Sequence, residues 1–373
     1  MKILLVSGIF PPDHGGPASY VPTIAKGLQQ QGHEVIAVVT LSDRVDHDDR
    51  HYGFPVVRLR RTRIRLFRWL QTIREIGRLS RQADVVYLNG LVLEGILAAK
   101  FLARRPAVVK VVGDLIWEKA RNSGTCNLEL DEFQRVPLPL RCRILRDLQG
   151  WYTALADAVI TPSSYLAGIV TGWGVDTSRI HVVYNAVVLS PATRSQVVPS
   201  HQDLITVARL VPWKGLVDLI EVTGDLGLRL RIVGDGPLRG ELEALAQQRG
   251  AMVSFAGHVA HNRIPDEIRS AQLFVLNSSY EGLPHIVLEA KAAGVPVLAS
   301  SAGGTPETIH HGVDGWLVPV NDKVALAAAI QRLLGDDAAR AELAQAGLRQ
   351  VHEQFSFAAQ LAATAAVLAK VCR

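Results

Sequence analysis

Four short segments carry residue types suited to a phosphorylated, hydroxyl-rich ligand. In Arg209-Leu210-Val211-Pro212-Trp213-Lys214-Gly215, two cations stand five residues apart across a turn, close enough for both to reach one pyrophosphate. At ~4 Å and an effective dielectric near ~20, each such contact has a Coulomb term of ~4 kcal/mol before desolvation. It helps most where charge grows on a leaving phosphate. The run Glu281-Gly282-Leu283-Pro284-His285-Ile286-Val287-Leu288-Glu289 supplies two carboxylates at different depths. Pro284 suits the first turn of a helix, so Glu281 sits in a loop and Glu289 lies more than a turn into that helix. Such a pair fits two sets of hydroxyls, one on a sugar and one on a ribose, with the backbone N–H groups of Gly282 and Leu283 near a phosphate. Gly15-Gly16-Pro17 lets backbone approach a ligand and opens a helix whose N-terminus favours anions. Gly234-Asp235-Gly236-Pro237 is a further turn able to border a nucleotide. Taken singly, each has a plainer alternative: a tight turn, a solvated charge pair, an N-terminal acid or a polar helix face.

These segments need elements to hold them, and the hydrophobic pattern supplies candidates. Short β-branched runs at Ile3 to Val6, Val35 to Thr40, Val85 to Leu88, Val108 to Val112 and Ala158 to Thr161 alternate with amphipathic stretches such as Ala18 to Gln31, closed by Gly32. Runs apolar on both faces indicate a parallel sheet buried by helices. The rhythm repeats at Leu204 to Ala208, Leu230 to Val233, Val253 to Ala256, Leu273 to Leu276 and Val295 to Ser300. Between the halves, Ser190 to Asp203 is polar, contains Pro191 and Pro199, and reads as a linker. The fold class is α/β: two doubly wound Rossmann-like domains facing across a cleft, over residues 1–188 and 189–355, with residues 356–373 a C-terminal helix. In such sheets ligands sit beyond the C-terminal strand edge, where all four segments fall.

Bulk properties narrow the class. At 373 residues the chain is about twice the size of one ordinary domain, and 48% hydrophobic with 20% charged residues fits a globular protein, not a disordered one. Cys126, Cys142 and Cys372 lack metal-ligand spacing and, being odd in number, argue against a disulfide framework, which suits a reducing cytoplasm. Pro11-Pro12-Asp13 ends the first apolar run before signal-peptide length, and no stretch reaches transmembrane length. Asp46, Asp48 and Asp49 beside His47 fall in a charged loop and read as solvated, so no metal or other cofactor is expected.

Charge is uneven. From Arg58 to Arg81 there are nine arginines and one acid, Glu75. Arg60, Arg61, Arg63, Arg65, Arg68 and Trp69 belong to a segment readable as a basic helix after Arg63, suited to an anionic membrane face or to steering an anionic acceptor. The plainer alternative turns Phe67, Leu70 and Ile73 toward the core. Nucleic acid is a poorer partner, since no recognition motif or aromatic platform accompanies the charge.

Taken together, Gly15-Gly16 after the first strand, Val183-Tyr184-Asn185 at the hinge, Arg209 with Lys214, Gly234-Asp235-Gly236-Pro237 and the Glu281/Glu289 pair closely resemble the retaining family-four glycosyltransferases of the GT-B fold. The resemblance covers nearly the whole chain. It implies that Arg209 and Lys214 hold the diphosphate of a nucleotide-sugar donor, Glu281 contacts the transferred sugar, Glu289 binds the ribose, and Gly16 touches the diphosphate from the other domain. It also implies that Phe357 to Val371 crosses back to the first domain, and that the cations replace a divalent ion in a metal-independent transfer to a glycan, lipid-linked or small-molecule acceptor.

One departure stands out. Many relatives carry a histidine where this chain reads Val111-Val112-Gly113-Asp114; Asp114 either takes over a polar contact with sugar or acceptor, or caps the following helix. His14 is a further loop candidate. Gly257-His258-Val259-Ala260-His261 lacks the carboxylate a guanine reader offers, which favours uridine, with backbone contacts near His258 and Val259. Rival functions are a nucleotide-sugar epimerase on the same fold and a non-catalytic carbohydrate-binding relative. A dehydrogenase is disfavoured because no Gly-x-Gly-x-x-Gly follows the first strand.

Overall fold

The computed structural model describes residues 1–13, 15–187 and 202–372. The first lobe is a seven-stranded parallel sheet of β1 (Lys2–Ser7), β2 (Glu34–Ser42), β3 (Val56–Arg60), β4 (Val85–Asn89), β5 (Ala107–Lys110), β6 (Ala158–Thr161) and β7 (Ile180–Val182) in the order β3-β2-β1-β4-β5-β6-β7. The second is six-stranded: β8 (Gln202–Val207), β9 (Leu230–Val233), β10 (Val253–Gly257), β11 (Ala271–Leu276), β12 (Val297–Ser300) and β13 (Trp316–Val318), ordered β10-β9-β8-β11-β12-β13. Central strands such as Ile3-Leu4-Leu5-Val6 are buried throughout, because each face meets a layer of helices with its own core cluster. The expected α/β architecture of two doubly wound lobes is the one observed. Most of the expected linker, including the 188/189 boundary, lies outside the described residues, as does His14.

Both sheets reverse their winding at one place, between β1 and β4 in the first and between β8 and β11 in the second. Such reversals open a crevice beyond the strand ends. Arg209 to Lys214 follows β8 and Glu281 follows β11, so the two motifs with the most chemistry flank the same crevice.

The loops there are held by backbone packing too close for side chains. Gly215 has φ +58°, and a Cβ on it would lie 1.9 Å from the Asn277 carbonyl oxygen. A Cβ on Gly234, at φ +128°, would lie 2.0 Å from the Ala208 carbonyl oxygen. Asn277 Nδ2 donates to the Gly215 carbonyl (3.0 Å) and the Ser279 N–H to the Trp213 carbonyl (2.8 Å), which sews the β8 and β11 loops together.

The C-terminal helix Phe357–Val371 returns to the first lobe, as expected. Ser356 caps it by accepting from the Ala359 N–H, while Leu361, Val367 and Leu368 join the cluster of Ile3, Leu5 and Val21. Gly27 on helix Gly16–Gln30 permits this approach, since a Cβ there would meet the Leu361 side chain at 2.8 Å.

Helix His285–Ala292, which carries Glu289, is anchored from below by a buried ion. The Lys291 ammonium, 1% exposed, donates to the Thr308 carbonyl (2.5 Å), Asp314 Oδ1 (2.7 Å) and Gln350 Oε1 (2.6 Å). Burial lowers the Lys291 pKa and Asp314 opposes that shift. Removing one partner leaves the other charge buried and unpaired, so Lys291→Met should cost about 3–5 kcal/mol in urea denaturation; unchanged stability would contradict this anchor. Gly215→Ala, confined to a left-handed backbone as well as to a clash, should lose at least about 1–3 kcal/mol in the same assay.

Candidate active site

The crevice of the second lobe brings the central cation and acid into contact. Lys214 leaves a single 3-10 turn, Pro212–Lys214, started by Pro212, and its Nζ reaches Glu281 Oε1 at 2.5 Å. Ser278 Oγ donates to the same oxygen at 2.6 Å. Both side chains are mostly buried, 16% and 11% exposed, so the pair sits in the wall of the site and not on the outer surface. Arg209 is exposed at the head of the same loop. The Leu210 N–H donates to the Asp235 carbonyl and the Leu238 N–H to the Leu210 carbonyl, which binds the Gly234 turn to the cation loop. A further support comes from Gly304, whose N–H donates to the Glu281 carbonyl at 2.9 Å.

Opposite stands the first lobe. Asp114 is fully buried; its Oδ1 accepts from the Ile116 and Trp117 N–H groups at 2.9 and 3.1 Å, and Gln134 and Gln149 donate to the carboxylate at 2.8 and 3.3 Å. Of the two roles open to it, the capping role is the one present. Its direct contact with a sugar is corrected here: four donors and no exposed surface leave it nothing to offer a ligand. The carboxylate that faces the gap is one turn along, on Glu118 of helix Leu115–Asn122. Burial and then Asp114 raise its pKa, while Arg209 and Lys214, across the gap, lower it.

The lobes touch directly at the acidic motif. Ser163 Oγ donates to the Gly282 carbonyl at 2.5 Å, and a Cβ on Gly282 would stand 2.7 Å from the Val112 carbonyl oxygen. Glu307 accepts from the Ser164 and Tyr165 N–H groups, both 2.8 Å, at the start of helix Ser164–Gly172. Trp117 lies 4.6 Å from Tyr280 and 5.3 Å from Trp213, ring centre to ring centre, in an apolar seam shared by both lobes. None of Glu118, Ser163, Glu307 or Tyr280 stood out in the sequence. They belong to no short motif, and only the approach of two lobes far apart in the chain gives them a role.

Other expected residues are placed less centrally. Gly15 caps helix Gly16–Gln30 with φ +141° and no capping side chain, and Gly16 has open space where a side chain would be. Leu283 and Pro284 are buried beneath the motif, with Pro284 preceding the helix rather than inside its first turn. Glu289 is 14% exposed and lies 3.5 Å from His285 Nδ1. His258 is exposed in the loop after β10, and Val259 packs on the second-lobe core. Asp48 and Asp49 are not merely solvated: they pair with Arg50 and with Arg58 and His47.

The basic segment divides. Arg58, 2% exposed, is tied to Asp49, and Arg61 is bound to Asp13 and Asp43, so Arg61 is corrected from a free steering charge to a structural one. Arg60, Arg63 and Arg65 are exposed; Arg68, which donates to the Thr62 carbonyl, and Trp69 are half-buried. On helix Arg65–Ser80, Ile73 packs on the core, but Phe67 and Leu70 are 59% and 53% exposed, so the core-facing alternative fails for both.

With this geometry in view, likeness to known proteins is informative. Residues 194–350 match the family described as glycosyl transferases group 1, and residues 15–186 the glycosyl transferase 4-like domain. The lipopolysaccharide core biosynthesis glycosyltransferase LpsD of Rhizobium meliloti is 32% identical over 56% of this chain and 62% of its own length. A GDP-mannose-dependent α-(1-6)-phosphatidylinositol monomannoside mannosyltransferase of Mycobacterium tuberculosis is also 32% identical, over 51% of this chain and 53% of its own. This chain thus spans a little over half the length of these two relatives. The crystal structure of Anabaena HepE with UDP and glucose superposes with a TM-score of 0.78 at 22% identity, covering 99% of this chain and 100% of that one, which shows the GT-B fold. Two lobes, a cation and acid joined in the crevice between them, and family matches to both halves lead to one assignment: the chain belongs to the group 1 glycosyltransferases of the GT-B fold, with a 4-like first lobe.

Proposed function

We propose that this chain is a retaining, metal-independent transferase that moves a sugar from a nucleoside-diphosphate donor, preferentially a UDP-sugar, to a glycan or lipid-linked acceptor in cell-surface polysaccharide or glycolipid synthesis. The observation that carries the reading is the Lys214–Glu281 contact at 2.5 Å with Arg209 on the same loop. This joins two cations for a diphosphate to a carboxylate for sugar hydroxyls. In the reaction, the bond from the anomeric carbon to the β-phosphate oxygen breaks as the acceptor oxygen bonds to the same face of that carbon. The acceptor proton passes to the departing phosphate, whose growing charge Arg209 and Lys214 stabilise. Glu289 is assigned to the ribose, and Gly16 at its helix N-terminus to the diphosphate. The base preference is supported by the lack of a carboxylate from Gly257 to His261 and by the UDP bound to HepE; the mannosyltransferase relative makes GDP the alternative.

The acceptor is proposed to arrive from a membrane surface on the cytoplasmic side. Among the described residues no helix is long and apolar enough to cross a bilayer. Ile64, Leu66, Phe67 and Leu70 are exposed among Arg60, Arg63 and Arg65, and helix Leu140–Ala154 exposes Leu140, Ile144, Leu148 and Trp151 beside Arg141 and Arg143. Apolar side chains flanked by cations complement an anionic leaflet.

Two experiments test the reading. A thermal-shift screen of UDP- and GDP-sugars, followed by transfer assays with NMR of the product anomer, should show donor binding and retained configuration. In the selected donor, Glu281→Ala and Lys214→Ala should each lower kcat/KM by about 10- to 150-fold, the equivalent of about 1.5–3 kcal/mol for a charged hydrogen bond. Wild-type rates in both variants would refute the site. In flotation with phosphatidylglycerol-containing vesicles at low salt, the protein should bind, and replacing Ile64, Phe67 and Leu70 by serine should release it. Wild-type protein left in the soluble fraction would end the membrane proposal.

A further inference from the structure

The first-lobe wall of the crevice holds a carboxylate that the assigned roles leave unused. Glu118 projects from helix Leu115–Asn122, which Asp114 caps and whose Trp117 is locked in the seam between the lobes. The backbone that carries Glu118 is therefore held in place, while its side chain keeps rotamer freedom. A Cβ on Gly113 would lie 2.7 Å from Glu118 Oε1 and 3.1 Å from the Tyr280 hydroxyl, so both oxygens crowd into the space that the glycine leaves free. The same hydroxyl would lie 3.7 Å from a Cβ on Gly282, which puts it between the acidic motif and the opposing lobe.

Tyr280 is 6% exposed, and its hydroxyl oxygen is buried without a hydrogen-bond partner. A buried phenol ordinarily finds an acceptor, and one left without a partner marks a place where something else supplies it. The charged and titratable groups facing Glu118 are Asp114 and Lys119 from its own segment, Arg209 and Lys214 from the second lobe, and Tyr280. Lys214 is already bonded to Glu281, and among the described residues neither cation forms an ion pair with Glu118, although both act on its charge. The carboxylate consequently faces the cations without being used up by them.

We propose that Glu118 is a specificity-determining residue that accepts a hydrogen bond from a hydroxyl of the transferred sugar, and that Tyr280 is its positioning partner, donating to the Glu118 carboxylate once substrate draws that side chain into line. The sugar is then read from two sides, by Glu281 in the second lobe and by Glu118 in the first. A site built to bind a hydroxyl discriminates strongly against a sugar that presents it elsewhere, because the buried polar group is left unpaired. Replacing a carboxylate acceptor by an amide or removing the phenol alters that reading without touching the diphosphate cradle.

The inference rests on the proposed donor site, and the test separates the two. Glu118→Gln, Tyr280→Phe and the double variant are compared with wild type for kcat and KM over UDP-glucose, UDP-galactose and UDP-N-acetylglucosamine, and for binding of UDP alone, with GDP and its sugars substituted if the donor screen selects them. Glu118→Gln should lower kcat/KM for the preferred donor by about 10- to 100-fold and flatten the ranking among donors, with UDP affinity kept within about twofold. Tyr280→Phe should move the ranking the same way by less, and the double variant should be no worse than Glu118→Gln, the non-additivity expected of residues acting through one contact. Unchanged rates and ranking in Glu118→Gln and Tyr280→Phe would overturn the proposal, as would an equal loss of UDP affinity, which would make the role structural. Should Glu118→Gln fail to fold, an unchanged donor ranking in Tyr280→Phe would overturn it alone. Absence of UDP and GDP binding in the wild type would instead remove the donor site itself.

Discussion

The contact between Lys214 and Glu281 organises the rest of the molecule. These residues are separated by 67 positions that include β9 and β10 with their helices, and they meet because β8 and β11 are neighbours at the place where the sheet reverses its winding. A cation and an acid on adjacent strand ends are a costly pair to bury, since desolvation offsets much of their attraction. Here Ser278 adds a second donor to the same Glu281 oxygen, and the backbones beneath are fixed by Gly215 against Asn277. Such an arrangement favours presentation of charge over stability, which suits the anionic donor proposed for it.

Much of this was legible in the chain. The alternation of buried β-branched runs with amphipathic stretches placed ten of the thirteen strands among the described residues, because central parallel strands are apolar on both faces and leave a strong signal. Those missed are β3, β7 and β13. Val56-Val57-Arg58-Leu59-Arg60 is interrupted by arginines, one of them buried against Asp49, while Ile180-His181-Val182 and Trp316-Leu317-Val318 are three-residue edges. Edge strands face a neighbour on one side only, so their composition is less constrained.

The approach of Lys214 and Glu281 was legible for a different reason. Arg209 and Lys214 share one loop after β8 and Glu281 stands in the loop after β11, and a loop after a strand fixes where such residues project; Glu289 lies farther on, in helix His285–Ala292. Asp114 shows the limit of that reasoning. Its type and position after β5 suit both a ligand contact and a cap, and the choice depends on Gln134 and Gln149, which arrive from later segments and occupy its oxygens. Glu118 could be found only once the lobes were set face to face, since nothing within its own helix distinguishes it from a solvated acid.

The way the lobes meet follows from the same economy of contacts. Gly282, directly after Glu281, gives its carbonyl to Ser163 of the first lobe, and the Glu281 carbonyl takes the Gly304 N–H. Glu307 reaches across to the free N–H groups at the start of helix Ser164–Gly172, where a carboxylate complements the helix dipole. The seam therefore runs through the backbone of the acidic motif itself. Any change in lobe separation must shift the support of Glu281 and the distance from Glu118 to the cations together, so the proposed reading of the sugar is tied to the separation of the lobes. The polar contacts of the seam can exchange with water when the lobes part. The apolar trio of Trp117, Trp213 and Tyr280 cannot, and its burial biases the molecule toward the joined state.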